Sequence, residues 1–185
     1  MGGDKLMPLI AGIQADSPPG QRISERRGDI FKAEYLPHLR AFRNAGALVS
    51  AIQARGLETV AATSARRDEL EALLKIAGAL SLLARSASGD DAEQSKPDPD
   101  IVDAALKKIS ARASDSLMIG DTPYDIEAAS RAGVRTIAFR CGGWNDATLQ
   151  GAVAIYDGPW DLLARLDESP IANPKAQSPS PKSRR

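Results

Sequence analysis

Short, almost continuous apolar runs alternate with longer amphipathic segments along most of this chain. Helical spacing appears at about 48–55, 64–77, 100–110, 126–132 and 159–166, and the apolar runs cover 57–63, 80–84, 116–120, 134–139 and 152–156. A strand that is apolar throughout is covered on both faces. The pattern therefore predicts an α/β fold, with a three-layer, Rossmann-like arrangement in which a parallel sheet lies between helices.

The first 45 residues follow a different pattern. The sequence Pro-Pro-Gly at 18–20 interrupts residues 1–28, which we predict to be irregular. From 29 to about 44 the apolar spacing is helical, with Pro37 as an interruption. We therefore expect this part to be separate from the core.

The C-terminal segment 169–185 is rich in Pro, Ser, Lys and Arg, and this composition predicts a disordered tail. We predict three parts: residues 1–45, a core domain at 46–168, and the tail.

The composition narrows the classes of function. Apolar residues make up 43% of the 185 residues, which is enough for a core, and 24 Lys and Arg balance 24 Asp and Glu. Because no basic stripe with interleaved aromatics is present, we expect no nucleic-acid partner. No apolar run is long enough for a membrane span and no signal peptide is evident, so we expect a cytoplasmic protein without a membrane partner. Cys141 is the only cysteine and is interpreted as a small hydrophobe, while His38 is the only histidine.

Polar residues lie at three places next to the predicted strands and helices. Thr63 and Ser64 end one strand, Asp121 ends another, and Lys96 lies in the loop before a helix. Ligands of parallel sheets bind at the carboxyl ends of the strands, so these residues are candidates for one site. A hydroxyl and a backbone N–H at a helix start suit a phosphate. The pair Asp121 and Asp125 suits Mg²⁺, because hard oxygen ligands suit this ion.

Each point also has a purely structural interpretation. Thr63 is a common N-cap residue, Asp121 and Asp125 are common in a helix cap and first turn, and lysines are mostly exposed. From the residues alone these alternatives stay open.

Taken in order, the three segments resemble the motifs of the haloacid dehalogenase (HAD) superfamily of hydrolases, in its phosphatase-like branch with a helical cap. VAATSA (60–65), SKPDPD (95–100) and IGDTPYD (119–125) look like its second, third and fourth motifs. Residues 28–46 are similar to the end of the cap and its return linker, so residues 1–45 are predicted to be a partial helical cap. AFRCGGW (138–144) and YDGPWDLL (156–163) look like the last strands of the family.

The resemblance implies a role for each candidate. Thr63 and Ser64 would bind the phosphate of a small phosphorylated metabolite, and Lys96 would stabilise the phosphate and the nucleophile. Asp121 and Asp125 would hold or support Mg²⁺. The implied reaction forms and then hydrolyses an aspartyl-phosphate. The alternative is a non-catalytic protein that keeps the phosphate and metal site. Neither the substrate nor the oligomeric state is readable from the sequence.

The resemblance also implies a nucleophile in an Asp-x-Asp sequence that follows a strand upstream of the cap. No Asp-x-Asp precedes residue 28. We therefore expect the chain to begin inside the cap, with residues 1–12 as part of a cap helix. It would be a shortened or degenerate relative, without the central first strand of the sheet. The strands that end at Thr63 and Gly120 would then lack their shared partner. An alternative is that the apolar run 6–13 forms a substitute strand in that place.

Overall fold

The computed structural model describes residues 2–83 and 85–172. Within these ranges the helices and strands alternate for most of the chain. The helices are α1 (Gly3–Ala11), α2 (Pro18–Ile30), α3 (Ala45–Gln53), α4 (Arg67–Ile76), α5 (Asp100–Lys108), α6 (Pro123–Arg131), α7 (Asp146–Leu149) and α8 (Pro159–Ala164). The strands are β1 (Ala61–Ala62), β2 (Ser86–Ala87), β3 (Leu117–Gly120), β4 (Arg135–Phe139) and β5 (Ala154–Tyr156). All observed pairings are parallel, which confirms the predicted α/β class.

The larger sheet has the strand order β3-β4-β5. Its register runs from Leu117 opposite Arg135 to Gly120 opposite Ala138. Residues 136–139 of β4 are all buried, since this strand has a neighbour at each edge and helices on both faces. This sheet therefore forms the centre of the core.

The smaller sheet contains only β1 and β2, with Ala61 opposite Ser86 and Ala62 opposite Ala87. In the part of the chain that the structure describes, β1 is not hydrogen-bonded to β3 and no strand lies between them. This arrangement agrees with the expectation that β1 and β3 have no strand between them as a shared partner.

Two helical layers cover the strands. On one face, Leu48 and Ile52 of α3 and Leu162 of α8 are buried in one cluster with Ile137 and Phe139 of β4. On the other face, α5 and α6 bury a second cluster that includes Ile101, Val102, Ala128 and Val134. Ala62 of β1 and Met118 of β3 both pack against this second cluster. The α5–α6 layer therefore joins the two sheets.

Two strand predictions need correction. Of the apolar run 57–63, only Ala61 and Ala62 form a strand. The predicted strand at 80–84 is wrong: the N–H groups of Leu82 and Leu83 bond to the Ala79 carbonyl in a turn, and residue 84 lies outside the described residues. The strand begins later, at Ser86. A strand forms where a neighbour accepts its backbone hydrogen bonds, and apolar character does not specify this position.

The prediction that residues 1–28 are irregular is also wrong, because α1 and most of α2 lie there, whereas a helix within residues 1–12 is confirmed by α1. Ser17 caps α2 and both prolines occupy its first two positions. Proline is tolerated there because the first N–H groups of a helix have no partner within the helix. After α2 the chain continues as a π-helical turn, Phe31–Tyr35, and a 3-10 turn, Leu36–His38.

The apolar run 6–13 does not act as a substitute strand. It lies mostly in α1, with Leu9 73% exposed and Ile10 74% exposed. At the other end, Ser169 and Ile171 are buried, so the chain packs against the core beyond residue 168. The rest of the predicted tail, 173–185, lies outside the described residues. None of the helices in the described ranges has the length and apolar character that a membrane crossing requires.

Candidate functional site

The predicted site residues lie at the carboxyl ends of β1 and β3. Asp121 follows β3 directly and precedes α6, and Thr63 follows β1. Lys96 lies in the loop between β2 and α5. A parallel arrangement brings these loops to one edge of the fold, where α/β proteins bind ligands.

Asp125 is the most constrained carboxylate of the site. It is 4% exposed, and Lys96 donates a hydrogen bond of 2.5 Å from Nζ to its Oδ1. Its Oδ2 accepts from the Thr122 hydroxyl at 2.7 Å and from the Thr122 backbone N–H at 3.0 Å. The Thr122 hydroxyl accepts in turn from the Asp125 N–H, so the two residues form a capping box at the start of α6. The structural interpretation of Asp125 is thus correct, although the cap residue is Thr122 and not Asp121.

Gly120 makes this packing possible. A Cβ atom on Gly120 would lie 2.5 Å from the Asp125 Cβ, far inside van der Waals contact. The β3 end therefore approaches the first turn of α6 as closely as only glycine allows. The same proximity brings the Asp121 backbone N–H within 3.2 Å of Asp125 Oδ2.

The two carboxylates have opposite electrostatic settings. Burial raises the pKa of Asp121, and the neighbouring charge of Asp125 raises it further, while Lys96 opposes both. Burial also acts to raise the pKa of Asp125, but Lys96 and the hydrogen bonds from Thr122 and the backbone outweigh it, so this pKa lies below its usual range. Lys96 is therefore not the surface lysine of the alternative interpretation; its side chain is 15% exposed and paired.

Thr63 and Ser64 form a separate group at the end of β1. The Thr63 N–H bonds to the Ala87 carbonyl at 3.0 Å, and its hydroxyl accepts from the Ala65 N–H at 3.1 Å. The Ser64 Oγ is buried and has no hydrogen-bond partner among the described residues. The predicted helix from Ser64 begins only at Arg67, so the candidate phosphate loop is a turn and Thr63 is not an N-cap.

The structure thus brings Lys96, Asp121 and Asp125 together. No hydrogen bond or ion pair within the described ranges joins Thr63 or Ser64 to that cluster. The described residues also contain no group of three or more His, Cys, Asp or Glu side chains that could enclose a metal. Mg²⁺ does not need one, because it usually takes one or two carboxylates, a substrate phosphate and several waters. The hard carboxylate oxygens of Asp121 therefore fit this ion, whereas both oxygens of Asp125 already accept hydrogen bonds.

Two residues that shape the site, Thr122 and Gly142, were not identified from the sequence. Thr122 was visible as the first residue of a Thr-x-x-Asp capping box before an apolar helix. Gly142 was not, since it meets Asp121 only in space: a Cβ atom there would lie 2.4 Å from the Asp121 carbonyl oxygen. The Cys141 side chain also lies near Asp121, and burial, together with the Asp121 charge, raises the pKa of its thiol.

Residues 16–139 match the family model of haloacid dehalogenase-like hydrolases. This match covers more than half of the chain, and it includes the loops that carry all five candidate residues. The chain belongs to this family.

Two of the chain's relatives are phosphatases. The chain is 32% identical over 132 residues to the phosphoglycolate phosphatase of Rhodospirillum rubrum, a match that covers 69% of this chain and 55% of that enzyme. It is 27% identical over 172 residues to the N-acetylmuramic acid 6-phosphate phosphatase of Pseudomonas aeruginosa, covering 91% of this chain and 76% of that enzyme. The chain thus spans about half the length of the first relative.

Solved structures agree with the family assignment. A hydrolase from Pseudomonas syringae superimposes with a TM-score of 0.75 at 31% sequence identity, over 80% of this chain and 72% of that one. The Rossmann-like α/β architecture of the core is therefore that of its family.

Proposed function

We propose that this chain is a phosphatase-type hydrolase that binds a small phosphorylated metabolite together with Mg²⁺. The cluster of Lys96, Asp121 and Asp125 at the carboxyl end of β3 carries the proposal. It combines a largely buried cation with two carboxylates whose pKa values are shifted in opposite directions. Such perturbed groups at one edge of a parallel sheet are typical of functional sites.

Each acidic residue has a distinct proposed role. Asp121 would bind the metal, because none of the described side chains donates a hydrogen bond to its carboxylate, which leaves both oxygens available. Asp125 would orient Lys96 and the β3 end, because Lys96, Thr122 and the Asp121 N–H already occupy both of its oxygens. When bound, Mg²⁺ would supply positive charge to the phosphate oxygens and hold the phosphate in place.

The phosphate group would occupy the space next to Thr63 and Ser64. The buried Ser64 hydroxyl has no hydrogen-bond partner in the part of the chain that the structure describes, and it can donate to a phosphate oxygen. Lys96 would supply positive charge to the phosphate, and this electrostatic stabilisation is strongest where water is excluded. The names of the related enzymes support small phosphorylated substrates. A cytoplasmic location stays a prediction.

A second candidate function is phosphate and metal binding without turnover. It needs only the ligand-binding groups Lys96, Asp121 and Asp125, and no attacking carboxylate of the kind that hydrolysis through an aspartyl-phosphate requires. In this reading the chain keeps the ligand site and serves as a binding protein.

Hydrolysis of p-nitrophenyl phosphate by the full chain, with and without Mg²⁺, separates the two functions. The proposal expects Mg²⁺-dependent turnover that Asp121→Ala reduces by about 100-fold or more, since the metal then loses its carboxylate ligand. The matched control is Asp167→Ala, a residue whose side chain is 89% exposed and pairs with Arg55 away from the site; it should leave turnover unchanged.

Binding assays complete the test. Calorimetric titration with Mg²⁺ and with inorganic phosphate should show binding that Asp121→Ala and Ser64→Ala weaken, respectively. Binding without turnover would reject the phosphatase and support the binding protein. Absence of both binding and turnover would reject the site itself.

A further inference from the structure

We propose that the turn Arg140–Gly142, called here the Arg140 turn, positions the Asp121 carboxylate for the metal. This inference rests on the proposed function, because it assigns a purpose to the contact between this turn and the proposed metal ligand. The turn follows β4 directly, at the same sheet edge as Asp121. Arg140 would be a positioning residue and not a catalytic one.

The contact itself is a backbone contact. A Cβ atom on Gly142 would lie 2.4 Å from the Asp121 carbonyl oxygen and 2.8 Å from both its Cβ and its Oδ2. The Gly142 backbone therefore lies directly against the Asp121 backbone and carboxylate. Because backbone atoms cannot rotate away as a flexible side chain does, this surface limits the positions that the carboxylate can take.

Arg140 holds the turn in place. Its Nε and one terminal nitrogen donate to the two oxygens of Asp146 at 2.6 and 2.9 Å, and its other terminal nitrogen donates to Asp157 at 2.7 Å. Asp146 starts α7 and Asp157 follows β5, so one guanidinium joins three segments. Only the planar fork of arginine can make a bidentate pair and a third bond at once.

A second tether lies on the other side of the turn. Trp144 packs edge-to-face against Tyr124, with ring centroids 6.1 Å apart and an interplanar angle of 88°. Tyr124 belongs to the first turn of α6, adjacent to Asp125. The Arg140 turn is therefore held between the ends of β4 and β5 and the helix that carries the proposed metal site.

Exposed ion pairs contribute little to global stability, and all three partners here are exposed by more than a third. The expected consequence of losing Arg140 is therefore local: a less well placed Asp121 and weaker metal binding, with little change in the melting temperature. This separation distinguishes a positioning role from a merely structural one.

The test is Mg²⁺ titration of the full-length chain by calorimetry, with the melting temperature measured for every variant. Gly142→Ala should weaken Mg²⁺ binding by about 10-fold or more, because the added methyl displaces Asp121. Arg140→Ala should weaken it by roughly two- to fivefold, the range of exposed pairs. Arg140→Lys should lie between Arg140→Ala and the wild type, since an ammonium keeps the charge without the fork.

Two controls match these variants. Gly28→Ala adds the same methyl in α2, where its nearest neighbour, Glu69 Oε1, would lie at an ordinary 3.6 Å. Arg112→Ala removes another exposed arginine, which donates two hydrogen bonds to one carboxylate oxygen of Asp115 at the opposite end of β3. Both should bind Mg²⁺ like the wild type.

The outcomes are distinguishable. Equal Mg²⁺ affinity for the wild type, Gly142→Ala and Arg140→Ala would overturn the inference and leave the proposed function intact. No Mg²⁺ binding by the wild type would overturn the metal site and this inference with it. If Gly142→Ala does not fold, the Arg140 variants decide the matter, because their substitutions lie on the surface.

Discussion

The two sheets differ in how firmly they hold the residues at their carboxyl ends. In the larger sheet, β4 is buried from residue 136 to 139, and Gly120 and a capping box lock β3 onto α6. In the smaller sheet, each strand has two residues, and β1 is only half-buried. The Asp125 carboxylate near the β3 end is therefore fixed before any ligand arrives. The hydroxyls at the β1 end have one local hydrogen bond, from Ala65 to Thr63.

This difference divides the proposed site into two halves, one at the end of each sheet. The half that would bind metal carries costly buried charges, which must be paired and hydrogen-bonded to be tolerated. The half that would bind phosphate carries neutral hydroxyls. Leaving a neutral hydroxyl without a hydrogen bond before the ligand binds costs less free energy than leaving a buried charge unpaired. The following experiments test this contrast between the sheets.

The largest effect is expected at the buried ion pair of the larger sheet. Asp125→Ala removes the capping box and leaves the Lys96 ammonium without its partner, which should lower the free energy of unfolding by about 3–5 kcal/mol. Denaturant unfolding measures this loss. The control is Glu127→Ala in the same helix, an exposed pair with Arg131 that should cost about 0.5 kcal/mol or less. Similar losses for both variants would refute the view that this half is fixed by Asp125.

Core truncations compare the two sheets directly. Ile137 of β4 is 0% exposed, so Ile137→Ala should cost about 2–5 kcal/mol in the free energy of unfolding. Val60 precedes β1 and is only half-buried. Val60→Ala should therefore lower the free energy of unfolding by only about 1 kcal/mol. The comparison fails if the truncation beside β1 is as costly as the one in β4.

The pH dependence of stability should separate the two acids. The folded-state pKa of Asp125 lies below its usual range, so its contribution is present above the ordinary Asp pKa and is lost as pH falls through the folded value. The folded-state pKa of Asp121 is raised, mainly by burial, so its contribution is present at low pH and is lost as pH rises through the folded value.

The expected result follows from these signs. Without Mg²⁺, Asp121→Asn should raise the melting temperature near neutral pH, because a charge that burial disfavours is removed. Asp125→Asn should lower it there and flatten the loss of stability in acid. Melting curves between about pH 3 and pH 8 cover both ranges. A lower melting temperature for Asp121→Asn together with a higher one for Asp125→Asn near neutral pH would show that the pKa assignments are reversed.

The smallest effect is expected at the end of β1. Ser64→Ala should change the free energy of unfolding by less than about 0.5 kcal/mol, because its buried hydroxyl has no partner among the described residues. Thr63→Val removes the acceptor of the Ala65 N–H and should cost about 0.5–1.5 kcal/mol. A large loss of stability in Ser64→Ala, measured by chemical unfolding, would mean that this half is already fixed.

Much of the fold could be predicted from the sequence because its pattern is local. Apolar runs at 116–120, 134–139 and 152–156 predicted β3, β4 and β5 to within about two residues. The smaller sheet was predicted less well, since its strands are too short for their pattern to define them. The second helix, α2, was missed because Pro18 and Pro19 were interpreted as breakers, whereas a capped helix can begin with them.

The sequence by itself determined the family, the order of the strands and the identity of the polar residues at their ends. The motif around Asp121 encodes its own capping box, and local hydrogen bonds of this kind depend on spacing alone. Tertiary structure decided which of these residues meet. It pairs Lys96 with Asp125 across 29 positions and places Gly142 against Asp121. Within the described residues it also keeps β1 and β3 in separate sheets. These contacts join segments that are distant in the chain, so packing fixes them and no local pattern reports them.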